Sequence, residues 1–85
     1  MSLETLRNIG PKTARLMREV GIESAAELRA VGAADAYRRL KFRFPREVSR
    51  NALWALEGAL LDRDWRDIPS EAKARLKSEA ERENP

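Results

Sequence analysis

Between Pro11 and Val20 the chain alternates apolar and charged positions with a helical period. At about 100° per residue, Thr13, Leu16, Met17 and Val20 fall within one arc, and Lys12, Arg15, Arg18 and Glu19 fall opposite. Both ends of this segment are punctuated. Pro11 suits a first helical position, because the amide proton it lacks would have had no partner inside the helix. Gly21 followed by Ile22 reads as a left-handed cap with its usual apolar contact. Upstream, Ser2 is placed to cap a short helix over Leu3 to Arg7, with Leu3 and Leu6 on one side. Asn8, Ile9 and Gly10 then make a turn in which Asn8 and Gly10 tolerate positive φ. The stretch Leu6 to Leu28 is therefore predicted to be two short helices folded back through a tight turn, a helix-hairpin-helix.

The same period continues downstream. Ser24-Ala25-Ala26-Glu27 reads as a capping box opening a helix to about Val31, with Leu28 and Val31 inward. Gly32 interrupts it, and a further helix from Ala33 to about Leu40 places Ala33, Tyr37 and Leu40 on one side. Lys41 to Arg46 alternates basic and aromatic residues like a strand, but a lone strand in a helical chain has nothing to pair with, so it is read as an extended loop. Asn51 to Leu61 is apolar nearly all round and is predicted to be the central post, with Leu53, Trp54, Leu56 and Leu60 in the core and Gly58 at a close crossing or simply tolerated. Asp62 to Asp67 is a polar turn from which Trp65 packs back. Pro69 and Ser70 open a last helix to about Glu83, carrying Ala72, Leu76 and Ala80 and ending in a frayed polar tail. These elements describe an all-α fold, a small bundle of five to six short helices opened by a helix-hairpin-helix. The main domain spans residues 1–69, and the terminal helix and tail span 70–85. The pairs Val20-Gly21 and Val31-Gly32 echo one another without amounting to a convincing repeat.

Composition narrows the function classes. The 85 residues, 42% hydrophobic and 36% charged, make one small folded domain without room for a cleft between lobes. There is no cysteine and no histidine, which removes disulfides, thiolate nucleophiles, the usual zinc ligands and the side chain best suited to proton transfer near neutral pH. Glu57 is a lone acid read as structural, at the rim of the core or paired with Arg38, Arg39 or Arg50, and a lone acid does not make an acid–base pair. No enzyme, cofactor or metal site is therefore expected. The longest apolar run, Ala52 to Leu56, is far short of the roughly 20 residues of a membrane span, and a cytoplasmic protein is the simplest expectation.

Charge adds a direction. Net charge is +3, with 11 Lys/Arg against 6 Asp/Glu in residues 1–50 and 6 against 8 in residues 51–85. A basic front half fits either an anionic partner or ordinary solvated helix faces. In the first reading, the amides near Gly10, Lys12 and Thr13 stand at a helix amino terminus where the macrodipole favours a phosphate. Lys12 and Arg15 add charge, and Thr13 offers a hydroxyl or turns toward the core. Between Arg38 and Arg50 lie six basic residues against only Glu47, so Arg38, Arg39, Lys41, Arg43 and Arg46 join the candidates. Phe42 and Phe44 either stack on bases or anchor the loop in the core. Contacts of this kind read phosphates rather than base edges, and are sequence-independent and salt-sensitive. The alternative is an ordinary capped helix.

Several ordered blocks carry a family resemblance. Leu6 to Ala14 (LRNIGPKTA), Val20-Gly21-Ile22, Glu27 to Ala33 (ELRAVGA), Ala36 to Leu40 (AYRRL) and Leu53 to Leu60 (LWALEGAL) resemble the carboxy-terminal domain of the TfoX/Sxy competence regulators over about residues 3–68. The resemblance implies an all-α domain related in shape to helix-hairpin-helix and SAM-domain-like bundles, and a part in bacterial regulation of DNA uptake and transformation. It also implies a stand-alone copy of a domain that follows another in two-domain members. One departure bears on mechanism: DNA-binding hairpins commonly carry Gly-hydrophobic-Gly in the turn, whereas this chain has Asn8-Ile9-Gly10, and a side chain at that point obstructs a phosphate. Two partners follow as expectations. One is DNA, bound weakly through its backbone; the other is a transcription-related or nucleoprotein partner, docked through helix faces with arginines as recognition residues.

Overall fold

The computed structural model describes residues 3–81, and Ser2 and the residues beyond Glu81 lie outside them. Five α-helices follow one another: α1 (Pro11–Glu19), α2 (Ala25–Val31), α3 (Ala33–Arg43), α4 (Arg50–Leu61) and α5 (Ser70–Glu81). Two single 3-10 turns, Leu3–Thr5 and Trp65–Asp67, complete the all-α bundle. The first replaces the expected helix over Leu3–Arg7. It ends in two reversals, with the Leu6 amide donating to the Leu3 carbonyl and the Ile9 amide to the Leu6 carbonyl.

Each helix stops where its chemistry dictates. α1 ends in a Schellman motif: the Ile22 amide donates to Met17 O at 2.9 Å and the Gly21 amide to Arg18 O at 3.1 Å. Gly21 has φ +86°, and Ile22 and Met17, both without exposed surface, close the apolar contact beneath it. The capping box of α2 forms with a variation. Ser24 Oγ accepts from the Glu27 amide at 3.1 Å, but the Glu27 carboxylate accepts from the Glu23 amide at 2.6 Å rather than from that of the cap residue. α4 ends in a second Schellman geometry with Asp62 in the left-handed region (φ 56°), the Arg63 amide donating to Gly58 O at 2.8 Å.

Two local expectations are corrected. Lys41-Phe42-Arg43 is not an extended loop but the last turn of α3, which runs on to Arg43 with Phe44 as its cap residue. Leu40 and Phe44, four apart, continue the inward helical stripe, and the positive charges of Lys41 and Arg43 suit a helix carboxyl end. Lys41 Nζ then donates to the carbonyls of Pro45 (3.0 Å) and Val48 (2.7 Å), fastening the reversal into α4. In the hairpin turn only Asn8 uses positive φ (70°), whereas Gly10 is extended at φ −88° and serves as the amino cap of α1.

α4 is the post of the bundle. It packs mainly on α3 and on the Trp65 turn, while α5 crosses α3 and touches α4. Leu53 and Leu56 are fully buried, with Trp54 and Leu60 partly so. α1 contributes Ala14, Leu16 and Met17, α3 contributes Ala33, Ala36 and Leu40, and α5 contributes Leu76 and Ala80. Glu57 sits half-buried at the rim, and no arginine among the described residues pairs with it; Arg38 and Arg39 hold Asp35, and Arg50 holds Glu81.

The hairpin is fastened to α4 by one side chain. Asn8 Nδ2 donates to the Arg63 carbonyl at 2.8 Å and, more weakly, to the Ala55 carbonyl at 3.5 Å, while its Oδ1 accepts from the Trp65 amide at 3.3 Å. The close crossing at Gly58 is with this node, not with a second helix: a Cβ there would lie 2.6 Å from the Arg63 carbonyl and against Asn8 Nδ2. Gly58→Ala is thus expected to lower unfolding stability by about 1–3 kcal/mol in urea denaturation, because both neighbours are fixed. Asn8→Ala removes the amide and leaves a non-glycine residue at positive φ. Asn8→Gly removes the amide alone, so it should fall below wild type yet lie about 1 kcal/mol above Asn8→Ala.

Candidate nucleic-acid interface

At the start of α1 the first intrahelical bond runs from the Ala14 amide to the Gly10 carbonyl, so the Lys12 and Thr13 amides precede it and lack an intrahelical acceptor. Gly10 supplies no side-chain cap, and no acidic residue lies in the first turn. Gly10, Lys12 and Arg15 are exposed and Thr13 is half-buried, with neither Lys12 nor Arg15 facing an acidic partner among the described residues. α4 begins in the same way. Ser49 makes no side-chain cap bond and its first turn is free of acids.

Lys12 and Thr13 from the first turn of α1 and Ser49 and Asn51 from the start of α4 line one groove of about 370 Å³, together with Leu16, Leu40, Asn8 and Trp65. Glu47 is the carboxylate in the lining. Ser49 and Asn51 were not among the expected site residues. Their signal in the sequence was a serine in cap position before a helix without an acidic first turn.

The structure separates the remaining candidates from this groove. Arg38 Nη2 contacts Asp35 Oδ1 at 3.0 Å and its Nη1 donates to the Glu79 carbonyl at 2.8 Å; Arg39 contacts the other oxygen of Asp35 at 3.6 Å. Lys41 is turned to backbone carbonyls, and Arg43 lies 4.0 Å from Glu19 and 5.2 Å over the Phe44 ring. Arg46 is exposed with no partner among the described residues. Lys12 and Thr13 line the groove, Gly10 and Arg15 stand beside them on the first turns of α1 outside its lining, and Arg38, Arg39, Lys41, Arg43 and Arg46 lie along α3 and the connection after it. Phe44 is partly buried against the core, whereas Phe42 is 90% exposed.

Asn8 lines the groove, with its amide turned to α4 and the Trp65 turn.

The sequence profile of the TfoX C-terminal domain matches residues 1–80. The chain belongs to the TfoX C-terminal domain family. Membership suggests a competence-related regulatory domain. The fold also matches a crystal structure of an uncharacterized protein from Listeria monocytogenes, triclinic form, with a TM-score of 0.85 and 31% identity, over 91% of this chain and 86% of that one. Comparison with curated proteins gives no match. Among the described residues of this TfoX C-terminal domain, no helix is long and apolar enough to cross a membrane, and no three acidic side chains come together as metal ligands.

The turn that receives Asn8 carries the perturbed acid. Asp64 caps the 3-10 turn at Trp65–Asp67, and its carboxylate is pulled from 3.8 to about 2 by the hydrogen bond from the Arg66 guanidinium, then by that from the Arg66 amide at 2.9 Å. A depressed acid stabilises the fold above its unfolded value and loses that contribution as pH falls through the folded one. Carboxyl-detected NMR titration should therefore place the Asp64 midpoint near 2, with the contribution fading below pH 3.8. Arg66→Ala should move the midpoint back toward the ordinary value.

Proposed function

We propose that this chain is a small regulatory module linked to DNA transformation, which touches DNA through backbone phosphates at the groove where α1 begins. One observation carries the reading. The amino ends of α1 and α4, both without a side-chain cap and without a first-turn acid, line one groove beside Lys12. Orphan amides and aligned peptide dipoles at two helix starts favour an anion between them, and Lys12, Arg15 and the Thr13 hydroxyl supplement them. Family membership supplies the regulatory context. Recognition of this kind positions a duplex without reading its sequence.

Fluorescence anisotropy with a labelled duplex at low salt tests it. Binding should weaken steeply with salt, each of Lys12→Ala and Arg15→Ala should reduce the salt slope by about 1, and affinity should not change when the duplex sequence is scrambled. Glu47→Gln should tighten binding, because it removes the carboxylate from the groove. Absence of binding at low salt, or binding indifferent to salt and to both substitutions, sinks the reading.

A second reading is docking on a transcription-related or nucleoprotein partner without DNA contact. It is favoured by the internal engagement of Arg38, Arg39, Lys41, Arg43 and Arg50, which leaves less positive charge for phosphates.

A further inference from the structure

Phe42 stands apart from every other large apolar side chain of the domain. It lies on the outer face of α3, 90% exposed, and among the described residues the other exposed large hydrophobic is Leu61 at the far end of α4. At 100° per residue, Arg38 and Arg39 share the arc of Phe42, with Asp35 between them as the acid on that face. Asp35 is shared between the two guanidiniums, at 3.0 and 3.6 Å, and Arg38 is engaged further with the Glu79 carbonyl of α5. Lys41, next to Phe42 in the chain, donates to neutral carbonyl acceptors, and Arg46 has no acidic partner among the described residues. Arg43 is balanced by Glu19, and Glu47 is the remaining acid of the segment. The surroundings of the ring keep uncompensated positive charge.

We infer that Phe42, with Arg39 one turn before it on α3 and Lys41 and Arg46 near it in the chain, is a stacking platform for single-stranded nucleic acid, separate from the duplex contact proposed at α1. Charge complementarity calls for a polyanion. The isolation of the ring then distinguishes a nucleic acid from an acidic protein. A protein interface needs a contiguous apolar centre, and no second large apolar residue stands beside Phe42. A base needs only one open aromatic face with cations near its phosphates, since every base has a π-face of its own. A ring that stands clear of the helix and is exposed over nearly all its surface meets that need. An extended strand also supplies a phosphate at each nucleotide for the flanking cations. Exposed pairs such as Arg39–Asp35 hold weakly and exchange readily for phosphate oxygens.

The full chain should be titrated by anisotropy with a fluorescein-labelled oligodeoxythymidine of about 12 nucleotides, within the usual footprint of such platforms. Wild type is expected to bind in a salt-sensitive manner. Phe42→Ala should weaken binding roughly 5- to 100-fold, and Phe42→Trp should retain or improve it. The ring touches no core residue, so circular dichroism should be unchanged in both variants. Duplex affinity should respond to Lys12→Ala and Arg15→Ala but not to Phe42→Ala, which keeps the outcomes for the two surfaces distinguishable. The inference is overturned if Phe42→Ala leaves oligodeoxythymidine affinity unchanged. It is equally overturned if poly-L-glutamate binds as tightly and with the same dependence on Phe42, the result expected of an acidic-protein docking site.

Discussion

The carboxamide of Asn8 is the interaction on which the arrangement of this domain depends. A residue in the left-handed region of a hairpin turn is ordinarily glycine, which can do nothing further with its side chain. Asparagine tolerates the same backbone and adds a donor and an acceptor, and both are used: the Arg63 and Ala55 carbonyls on one side, the Trp65 amide on the other. The three partners lie on α4 and on the turn that ends it, 47 to 57 residues away in sequence. A single amide thereby ties the first reversal of the chain to the post of the bundle. Gly58 is the complement of that tie, since the helix must present bare backbone where the amide arrives.

The clasp also decides what the hairpin can offer a ligand. The polar group of Asn8 is engaged by α4 and the Trp65 turn, and Asn8 lines, with Lys12 and Thr13, a groove that reaches the start of α4. The placement of the turn before α1 against the carboxyl half of α4 is held by the same bonds. Stability and the electrostatics of the candidate site are in this sense one arrangement. The second basic cluster stands outside it. Its cations largely serve the bundle, with Lys41 fastening the α3–α4 reversal and Arg38 reaching α5, and what it leaves exposed is an aromatic ring among them.

Much of this was legible in the sequence because it is written in local chemistry. Pro11, the Gly21-Ile22 stop, the Ser24 to Glu27 box and the apolar helix ending at Leu61 all act within one or two turns, and helical periodicity named Leu16, Met17, Leu28, Leu40, Leu53 and Leu56 as core. What was misread depended on distance. Lys41 to Arg43 alternates like a strand, and only the carbonyls of Pro45 and Val48, displayed by the following reversal, explain why the helix persists there. Asn8 was legible as a residue able to take positive φ, but its partners at Ala55, Arg63 and Trp65 are set by tertiary packing, so the clasp was not. The candidate site was half legible for the same reason. Gly10, Lys12, Thr13 and Arg15 are neighbours on one helix, whereas Ser49 and Asn51 join them only through the fold, and the arginines of α3 are carried to another face.

The central claim is that the Asn8 carboxamide holds the hairpin to the end of α4, and the backbone amide of Trp65 reports on it directly. Native-state hydrogen exchange followed by NMR should find that amide protected in wild type. In Asn8→Gly its protection should collapse to that of an open turn while the amides in the middle of α3 keep theirs, since they make no bond to Asn8. A Trp65 amide that exchanges freely in wild type, or equally slowly in both proteins, would contradict the account.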